Sequence, residues 1–256
     1  MMRMLLLVCA TFFSLHAWAF DHSHKLWTEI LKKNVTVSEG RSEVNYLGIK
    51  SSEAQFKSYL ASLSQVSASE FEAFSREQKM AFLINAYNAF TIQIILDHYP
   101  VKSIKDIGSL FRNTWKIKFI KLLGEDVNLD TIEHERLRKG YHEPRVHFAV
   151  NCASKGCPAL RTEAYMAEHL NAQLEEQAKN FLRDSSRNHL DVANLKLELS
   201  SIFKWFHEDF EREGSTVQKF VAPYITDDPA IKAKLVAGAF SISYLDYDWR
   251  LNKAGD

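Results

Sequence analysis

The sequence is poor in the residues that build linkers and disulfide frameworks. It holds five prolines, nine glycines and three cysteines among 256 residues. These low counts exclude long linkers of the usual Pro- or Gly-rich kind and a disulfide-dense small scaffold. Neither sign of charge is in excess, because 32 Lys and Arg balance 32 Asp and Glu. The balance gives no electrostatic reason to expect a nucleic acid or an anionic membrane as a partner.

The first nineteen residues have the pattern of a secretory signal peptide. Arg3 gives a short basic region, residues 4–15 are almost entirely apolar, and Ala17-Trp18-Ala19 fits a small-x-small cleavage site. The apolar run is too short for a membrane span, which needs about 20 residues. No later stretch is expected to span a membrane. Cleavage after Ala19 therefore predicts a periplasmic or secreted protein with no membrane insertion once the leader is removed.

The remaining chain has an ordinary globular composition, with 46% hydrophobic and 25% charged residues. Residues 20–44 are interpreted as an N-terminal extension and residues 45–252 as a single domain. Strand patterns are grouped with helical ones without a regular βαβ alternation, which favours an α+β fold. The expected architecture is a central buried helix on a small, mostly antiparallel sheet with surrounding helices. Strand patterns cover residues 115–120, 126–129, 146–152, 189–192, 195–199 and 240–245.

The central helix has the clearest pattern in the chain. Ser75 and Gln78 have the spacing of a capping box, and residues 80–99 are apolar on nearly every side before Pro100. A helix without a polar face is typical of a protein core. The aromatic segments 203–210 and 244–249 are likewise interpreted as packed core elements.

Residues 145–161 concentrate the side chains with chemical potential. If residues 146–152 form a strand, His147 and Asn151 share one face, while Cys152 lies on the apolar face. Cys157 follows in a loop that can bring its sulfur to the surface. The two cysteines are the only ones outside the predicted leader, so their chemical state decides which reactions are available.

Three interpretations of this segment remain open. An exported protein meets an oxidising compartment, so Cys152 and Cys157 can form a disulfide. Alternatively Cys157 or Cys152 is a nucleophile, with His147 as its base and Asn151 or a helix amide orienting the imidazole. The third is a zinc site with the spacing H-x4-C-x4-C, which is looser than the usual pairs and shows no fourth ligand. The preferred interpretation needs no metal and no cofactor.

Four further polar residues are candidates for the same site. Asn85 and Asn88 share a face of the apolar helix, and leaving such amides unpaired costs about 1–3 kcal/mol each. They either bond neighbouring main chain or line a pocket with His147, with Asn85 as an orienting amide and Asn88 as a substrate contact. His134 is a second choice for the base, although the group around it reads as a solvated helix face. Arg161 is a candidate carboxylate contact, because guanidinium binds carboxylates bidentately. Asn151 and His134 are also assigned as candidate substrate contacts.

Four segments are distinctive when taken in order, namely residues 81–91, 129–138, 147–161 and 244–252. Together they resemble the domain-of-unknown-function 547 family, over roughly residues 45 to 252. This chain has Ala159 where the family usually has a second proline, and the resemblance implies no established activity. The architecture is also faintly similar to papain-like and transglutaminase-like enzymes, whose central helix begins with the nucleophilic cysteine; this helix has none.

These observations predict an exported domain with a Cys/His/Asn pocket for a small peptide-like or thiol-containing molecule. The candidate activity is that of a cysteine-dependent hydrolase or transferase. The alternative is a non-catalytic binding or scaffold domain in which a Cys152–Cys157 disulfide shapes the loop.

Overall fold

The computed structural model describes residues 20–109 and 113–255, so the predicted signal peptide lies outside it. The α-helices in these ranges are α1 Lys25–Asn34, α2 Tyr46–Ser51, α3 Glu53–Gln65, α4 Ala68–Ala73, α5 Arg76–Asp97, α6 Lys139–Tyr141, α7 Leu170–Leu182, α8 Ile202–Trp205, α9 His207–Phe210, α10 Val217–Ile225 and α11 Pro229–Val236. The strands are β1 Val35–Ser38, β2 Arg41–Val44, β3 Ile120–Leu122, β4 Glu125–Val127, β5 His189–Asp191, β6 Lys196–Ser200 and β7 Ser241–Leu245. A π-helix, Thr131–Arg138, precedes α6.

The strands form small separate sheets and leave most of the fold to helices. β1 pairs with β2 and β3 with β4, both antiparallel. In the third sheet β6 lies between β5, which is antiparallel to it, and β7, which is parallel. The predicted α+β class is confirmed. The strands predicted at residues 189–192, 195–199 and 240–245 are present as β5, β6 and β7.

Helix α5 is the centre of the fold, as predicted. Ser75 and Gln78 form the capping box, since each side chain bonds the main chain of the other. Nearly every residue from Met80 to Ile95 is buried. By length and hydropathy α5 could cross a membrane, which the sequence pattern had not led us to expect. However, 83% of its apolar window is buried inside the protein, as in the core helix of a globular domain.

The apolar interior consists of two clusters. The larger one surrounds α5 and includes Trp27 and Leu31 of α1, so the predicted N-terminal extension contributes to this core. The second cluster joins α7, β6 and the short helices after it through aromatic rings such as Phe148 and Phe203.

The predicted strand at residues 115–120 is wrong for most of its length. Asn113 accepts a hydrogen bond from the main-chain N–H of Trp115 and begins a 3-10 turn, Thr114–Lys116. The indole Nε1 of Trp115 then donates to Tyr87 Oη at 3.2 Å, so this ring packs on α5. A turn at Leu123-Gly124 joins β3 to β4.

The predicted strand at residues 146–152 is also wrong. Pro144 occupies the first turn of a 3-10 helix, Pro144–Phe148, and the Glu143 side chain accepts from the N–H of Arg145. The main chain then continues without strand pairing as far as Asn151. The alternation that assigned His147 and Cys152 to opposite faces therefore does not apply.

Candidate functional site

A cavity of about 320 Å³ opens where the two apolar clusters meet, in the size range of sites for small molecules. Its rings come from α5, from the turn Thr114–Lys116, from the end of α8 with the residue after it, and from the segment after β7. The aromatic lining residues are Tyr87, Trp115, Trp205, Phe206, Tyr247 and Trp249. The titratable or sulfur-containing ones are Lys105, Asp130, Glu133, His134, His147 and Cys152.

Cys152 and Cys157 form a disulfide, with their Cα atoms 6.2 Å apart. Cys152 is half-buried and lines the cavity, whereas Cys157 is only 3% exposed. The sequence pattern had favoured the opposite exposures, because it placed Cys152 on a strand that does not form. With both sulfurs joined, the alternative zinc site lacks its thiolates. Among residues 20–109 and 113–255 no group of three or more His, Cys, Asp or Glu is arranged to hold a metal ion.

The buried sulfur sits among hydrogen-bond donors. Cys157 Sγ accepts from the main-chain N–H groups of Cys152, at 3.0 Å, and Ser154, at 3.3 Å. The Tyr247 hydroxyl lies 3.2 Å from Cys152 Sγ and 3.3 Å from Cys157 Sγ. Burial raises the pKa of Tyr247, so its hydroxyl keeps its proton and remains a donor. These donors would stabilise negative charge on Cys157.

The C-terminal segment holds the cysteine loop in place. The N–H of Gly156 donates to Asp248 O at 2.9 Å, and that of Asn252 to Ala153 O at 3.0 Å. A Cβ atom on Gly156 would lie 3.0 Å from the main-chain nitrogen of Asp248 and 3.1 Å from the Tyr247 ring. Only glycine allows this approach without displacing its neighbours. The contact places Tyr247 against the disulfide.

His147 is held by a carboxylate. Its Nε2 lies 2.8 Å from Asp209 Oδ2, and its ring stacks on Phe206 with centroids 4.2 Å apart. The same carboxylate accepts from Arg138 Nε at 2.5 Å and Arg212 Nη2 at 2.8 Å. Burial by itself raises the pKa of Asp209, but the hydrogen bonds from His147 and Arg138 prevail and lower it to about 2.

This arrangement fixes the tautomers of both cavity histidines. Ionised Asp209 can only accept, so His147 Nε2 carries a proton, and in the neutral ring Nδ1 is left as a base. At His134 the assignment is reversed, because Nδ1 accepts from Arg138 Nη1 at 2.8 Å. The Nε2 of neutral His134 therefore carries the proton, and it lies 3.6 Å from Asp130 Oδ1.

The predicted site amides bond main chain. Asn85 Nδ2 donates to Tyr165 O at 2.8 Å, and its Oδ1 accepts from Tyr165 N at 3.0 Å. Asn88 also makes two hydrogen bonds to main chain: its Nδ2 donates to Ala149 O at 3.0 Å, and its Oδ1 accepts from Asn151 N at 2.8 Å. Neither amide lines the cavity with His147. Asn88 instead fixes the main chain that leads into the cysteine loop.

Asn151 and Arg161 are also engaged within the protein. Asn151 Nδ2 donates to Pro158 O at 2.8 Å, which closes the base of the cysteine loop. Arg161 forms ion pairs with Glu163 and Glu176, each at 2.7 Å, and does not line the cavity. The substrate contacts assigned to them from sequence stay predictions. The structure brings together His147, Cys152 and His134.

Several residues of the site were not identified from sequence, namely Asp209, which holds His147, and three residues that line the cavity. Asp209 and Trp205 belong to a segment interpreted as core, and Tyr247 to one interpreted as a packed strand. Glu133 was interpreted as part of a solvated face, yet it is 7% exposed. The signal that could have identified Glu133 is its place beside His134 and before Arg138, which is a dense polar group for a solvated turn.

A second cavity, of about 440 Å³, lies on the other side of the cysteine loop, and half of the residues that line it are charged. Its most buried cation, Arg187, donates to Asp184 Oδ2, Cys157 O and Gly40 O. This guanidinium is therefore committed to holding the loop, and we assign the candidate site to the aromatic cavity.

No curated protein and no solved structure matches the chain. Residues 71–182 match the family model described as protein of unknown function, DUF547. The matched segment contains α5, the π-helix and the whole cysteine loop, but it ends before Asp209 and Tyr247. The predicted resemblance to this family is therefore confirmed over residues 71–182.

Proposed function

We propose that the domain carries out thiol–disulfide exchange with a small thiol-containing molecule bound in the aromatic cavity. One observation carries the proposal: the disulfide presents Cys152 to the cavity and buries Cys157 among hydrogen-bond donors. An incoming thiolate reaches the accessible sulfur, and the better-stabilised sulfur leaves faster. A disulfide that only braces a loop does not need this asymmetry.

The exchange is balanced in atoms and electrons. A substrate thiolate forms a bond to Cys152 Sγ, the Cys152–Cys157 bond breaks, and the electron pair goes to Cys157 Sγ. A second substrate thiolate then attacks the substrate sulfur of the mixed disulfide and releases Cys152 as a thiolate. Two substrate thiols become one disulfide while the protein disulfide becomes two thiols. The reverse sequence reduces a substrate disulfide and restores the protein disulfide.

His147 supplies the base for this step. The substrate must lose its thiol proton before it attacks, because the thiolate is the nucleophile. Asp209 holds the imidazole with Nε2 protonated, so Nδ1 of the neutral ring can take that proton. Tyr247 donates a hydrogen bond to the leaving sulfur.

Two single-cysteine variants test the proposal. In Cys157→Ser the remaining Cys152 should form a mixed disulfide with 2-hydroxyethyl disulfide, seen as an intact-mass increase. In Cys152→Ser the remaining Cys157 is buried and should react at least about tenfold more slowly, because accessibility limits exchange. Equal rates, or no adduct on Cys152 in the folded protein, would favour the non-catalytic scaffold domain.

The pair of His147 and Asp209 favours a second candidate, a thiol-dependent hydrolase in the reduced state. With the disulfide open, Cys152 becomes the nucleophile and His147 its base, as in Cys-His enzymes. A reduced sample would then accumulate an acyl-enzyme on Cys152 with an activated ester, seen by mass. The exchange proposal instead expects adducts that dithiothreitol removes.

Export after cleavage at Ala19 is part of this proposal, since a disulfide persists in an oxidising compartment. The main-chain nitrogen of Phe20 lies 3.1 Å from Glu70 Oε1. After cleavage this nitrogen becomes an ammonium group, and the hydrogen bond becomes an ion pair. N-terminal sequencing of protein from the periplasm or medium should begin at Phe20. A full-length cytoplasmic chain would contradict export.

A further inference from the structure

One wall of the aromatic cavity is a group of stacked rings. Trp205 and Trp249 stack with centroids 5.6 Å apart and planes 28° apart. The Tyr247 centroid lies 4.9 Å from that of Trp205 and 4.6 Å from that of Trp249. Trp205 is 44% exposed, so much of this wall is open to a ligand. The faces of such rings carry negative potential and attract cations.

This wall already holds an ammonium group of the protein itself. Lys105 Nζ lies 3.9 Å from the Trp249 ring centroid, well inside the distance of a cation–π contact. Lys105 belongs to the 3-10 turn Ile104–Ile107 and is exposed to solvent. Its ammonium can therefore leave the ring when another cation takes its place.

Two carboxylates give the cavity a negative charge. Glu133 is buried and accepts a hydrogen bond from the Tyr87 hydroxyl, which in turn accepts from Trp115 Nε1. Asp130 lines the same space. A charge at a buried position is screened less than one in solvent, so Glu133 outweighs the exposed Lys105 in the field that a ligand meets.

We propose that the cavity selects a small aminothiol, or the disulfide made from two of them. The ammonium binds between the ring wall and Glu133, and the sulfur meets Cys152 at another point of the same cavity. This inference rests on the exchange proposed above and adds its substrate class. The volume of about 320 Å³ suits a small molecule and excludes a folded protein as the bound group.

The test compares three disulfides of similar size and different charge on the Cys157→Ser variant. Cystamine is cationic, 2-hydroxyethyl disulfide is neutral and 3,3′-dithiodipropionate is anionic. For each reagent, the labelling rate of Cys152 in the folded variant is divided by the rate in the same variant unfolded in urea. This ratio corrects for differences in the intrinsic reactivity of the three reagents. The normalised rate for cystamine should exceed that for the neutral reagent by about tenfold, and the anionic reagent should be slowest.

Three variants made in this background locate the preference. Glu133→Gln, which keeps the acceptor for Tyr87, should lower the cystamine preference several-fold. Lys105→Met should raise the cystamine preference, because it removes the ammonium group that lies over the Trp249 ring. Glu53→Gln is the matched control, since Glu53 is exposed on α3 and pairs with Lys57. It should leave the preference unchanged.

The outcomes separate the two proposals. If Cys152 is labelled readily but without regard to charge, the aminothiol assignment is overturned and thiol–disulfide exchange stands. If none of the three reagents labels Cys152 in the folded variant, the exchange itself is overturned, and the aminothiol assignment with it. Because Lys105 is exposed, its variant keeps the test decisive even if Glu133→Gln fails to fold.

Discussion

Replacement of Asp209 by Asn should show how much the carboxylate that holds His147 contributes to stability. Its pKa of about 2 lies nearly two units below the ordinary value of 3.8. At about 1.4 kcal/mol per unit, the ionised form contributes about 2 kcal/mol to folding at neutral pH. Asn resembles the neutral carboxyl group, so Asp209→Asn should lose about this amount. Asp209→Ala, which leaves His147 and two guanidinium groups without their shared partner, should cost about 3–5 kcal/mol.

The pH dependence separates this cause from a general packing defect. Because the folded-state pKa is lowered, the contribution is present above about pH 4 and disappears as the pH falls toward 2. The difference in unfolding free energy between wild type and Asp209→Asn should therefore be about 2 kcal/mol at pH 7 and shrink below pH 4. Urea unfolding followed by tryptophan fluorescence measures it at each pH.

Asp227→Asn is the matched control for this experiment. Asp227 pairs with Arg183 at 2.6 Å, but its side chain is 73% exposed, so its variant should unfold like wild type. A difference for Asp209→Asn that stays constant from pH 7 to pH 2.5 would show that the loss comes from packing and would refute the electrostatic reasoning. An Asp209→Asn variant as stable as wild type would refute the electrostatic reasoning as well.

Three further predictions concern the cavity, the loop and the N-terminus. Trp205→Ala should change the unfolding free energy by less than about 1 kcal/mol, because the ring is 44% exposed. In the Cys157→Ser background, the same substitution should reduce the labelling of Cys152 by cystamine. Unchanged labelling would show that this ring is not part of the ligand site. Gly156→Ala should destabilise the protein by about 1–3 kcal/mol in urea unfolding, because the added Cβ would lie too close to the main chain of Asp248. A variant as stable as wild type would show that the loop can shift to accommodate the Cβ atom. Glu70→Gln should destabilise the chain that begins at Phe20 by about 1 kcal/mol, because it removes the carboxylate partner of the Phe20 ammonium group. The substitution should have a smaller effect on an N-terminally acetylated chain, which has no ammonium group. Equal effects on the two chains would argue against the ion pair.

The parts of the fold that could be predicted are those with local signals. Helix α5 has its capping box at Ser75 and Gln78, a long apolar run and Pro100 beyond its end, and all three act within the segment itself. The hairpin of β5 and β6 has a similar local basis in two alternating segments joined by a short turn. The family resemblance is confirmed over residues 71–182.

The cysteine segment was predicted incorrectly because its pattern fits two structures. In a strand, His147 and Asn151 would share one face, and the apolar side chains of Phe148 and Val150 would share the other. A 3-10 turn also buries both His147 and Phe148, each in a different environment. Pro144 was the local signal for the turn.

The partners of the site residues could not be predicted from local patterns. Asp209 lies 62 positions after His147, and Tyr247 lies 95 positions after Cys152. Such contacts depend on how the two apolar clusters pack against each other. The same packing decides that Cys152, and not Cys157, lines the cavity.

The most direct test of the central claim is a single-turnover experiment on the oxidised wild-type protein. The folded protein is mixed with excess cysteamine, and the Cys152–Cys157 dithiol and the cystamine formed are both counted by mass spectrometry after rapid alkylation. Exchange in the cavity predicts one cystamine for each protein disulfide opened, at a rate that falls when Trp205 is replaced by Ala. A disulfide that stays closed in the folded protein, and opens only when urea unfolds it, would contradict the claim.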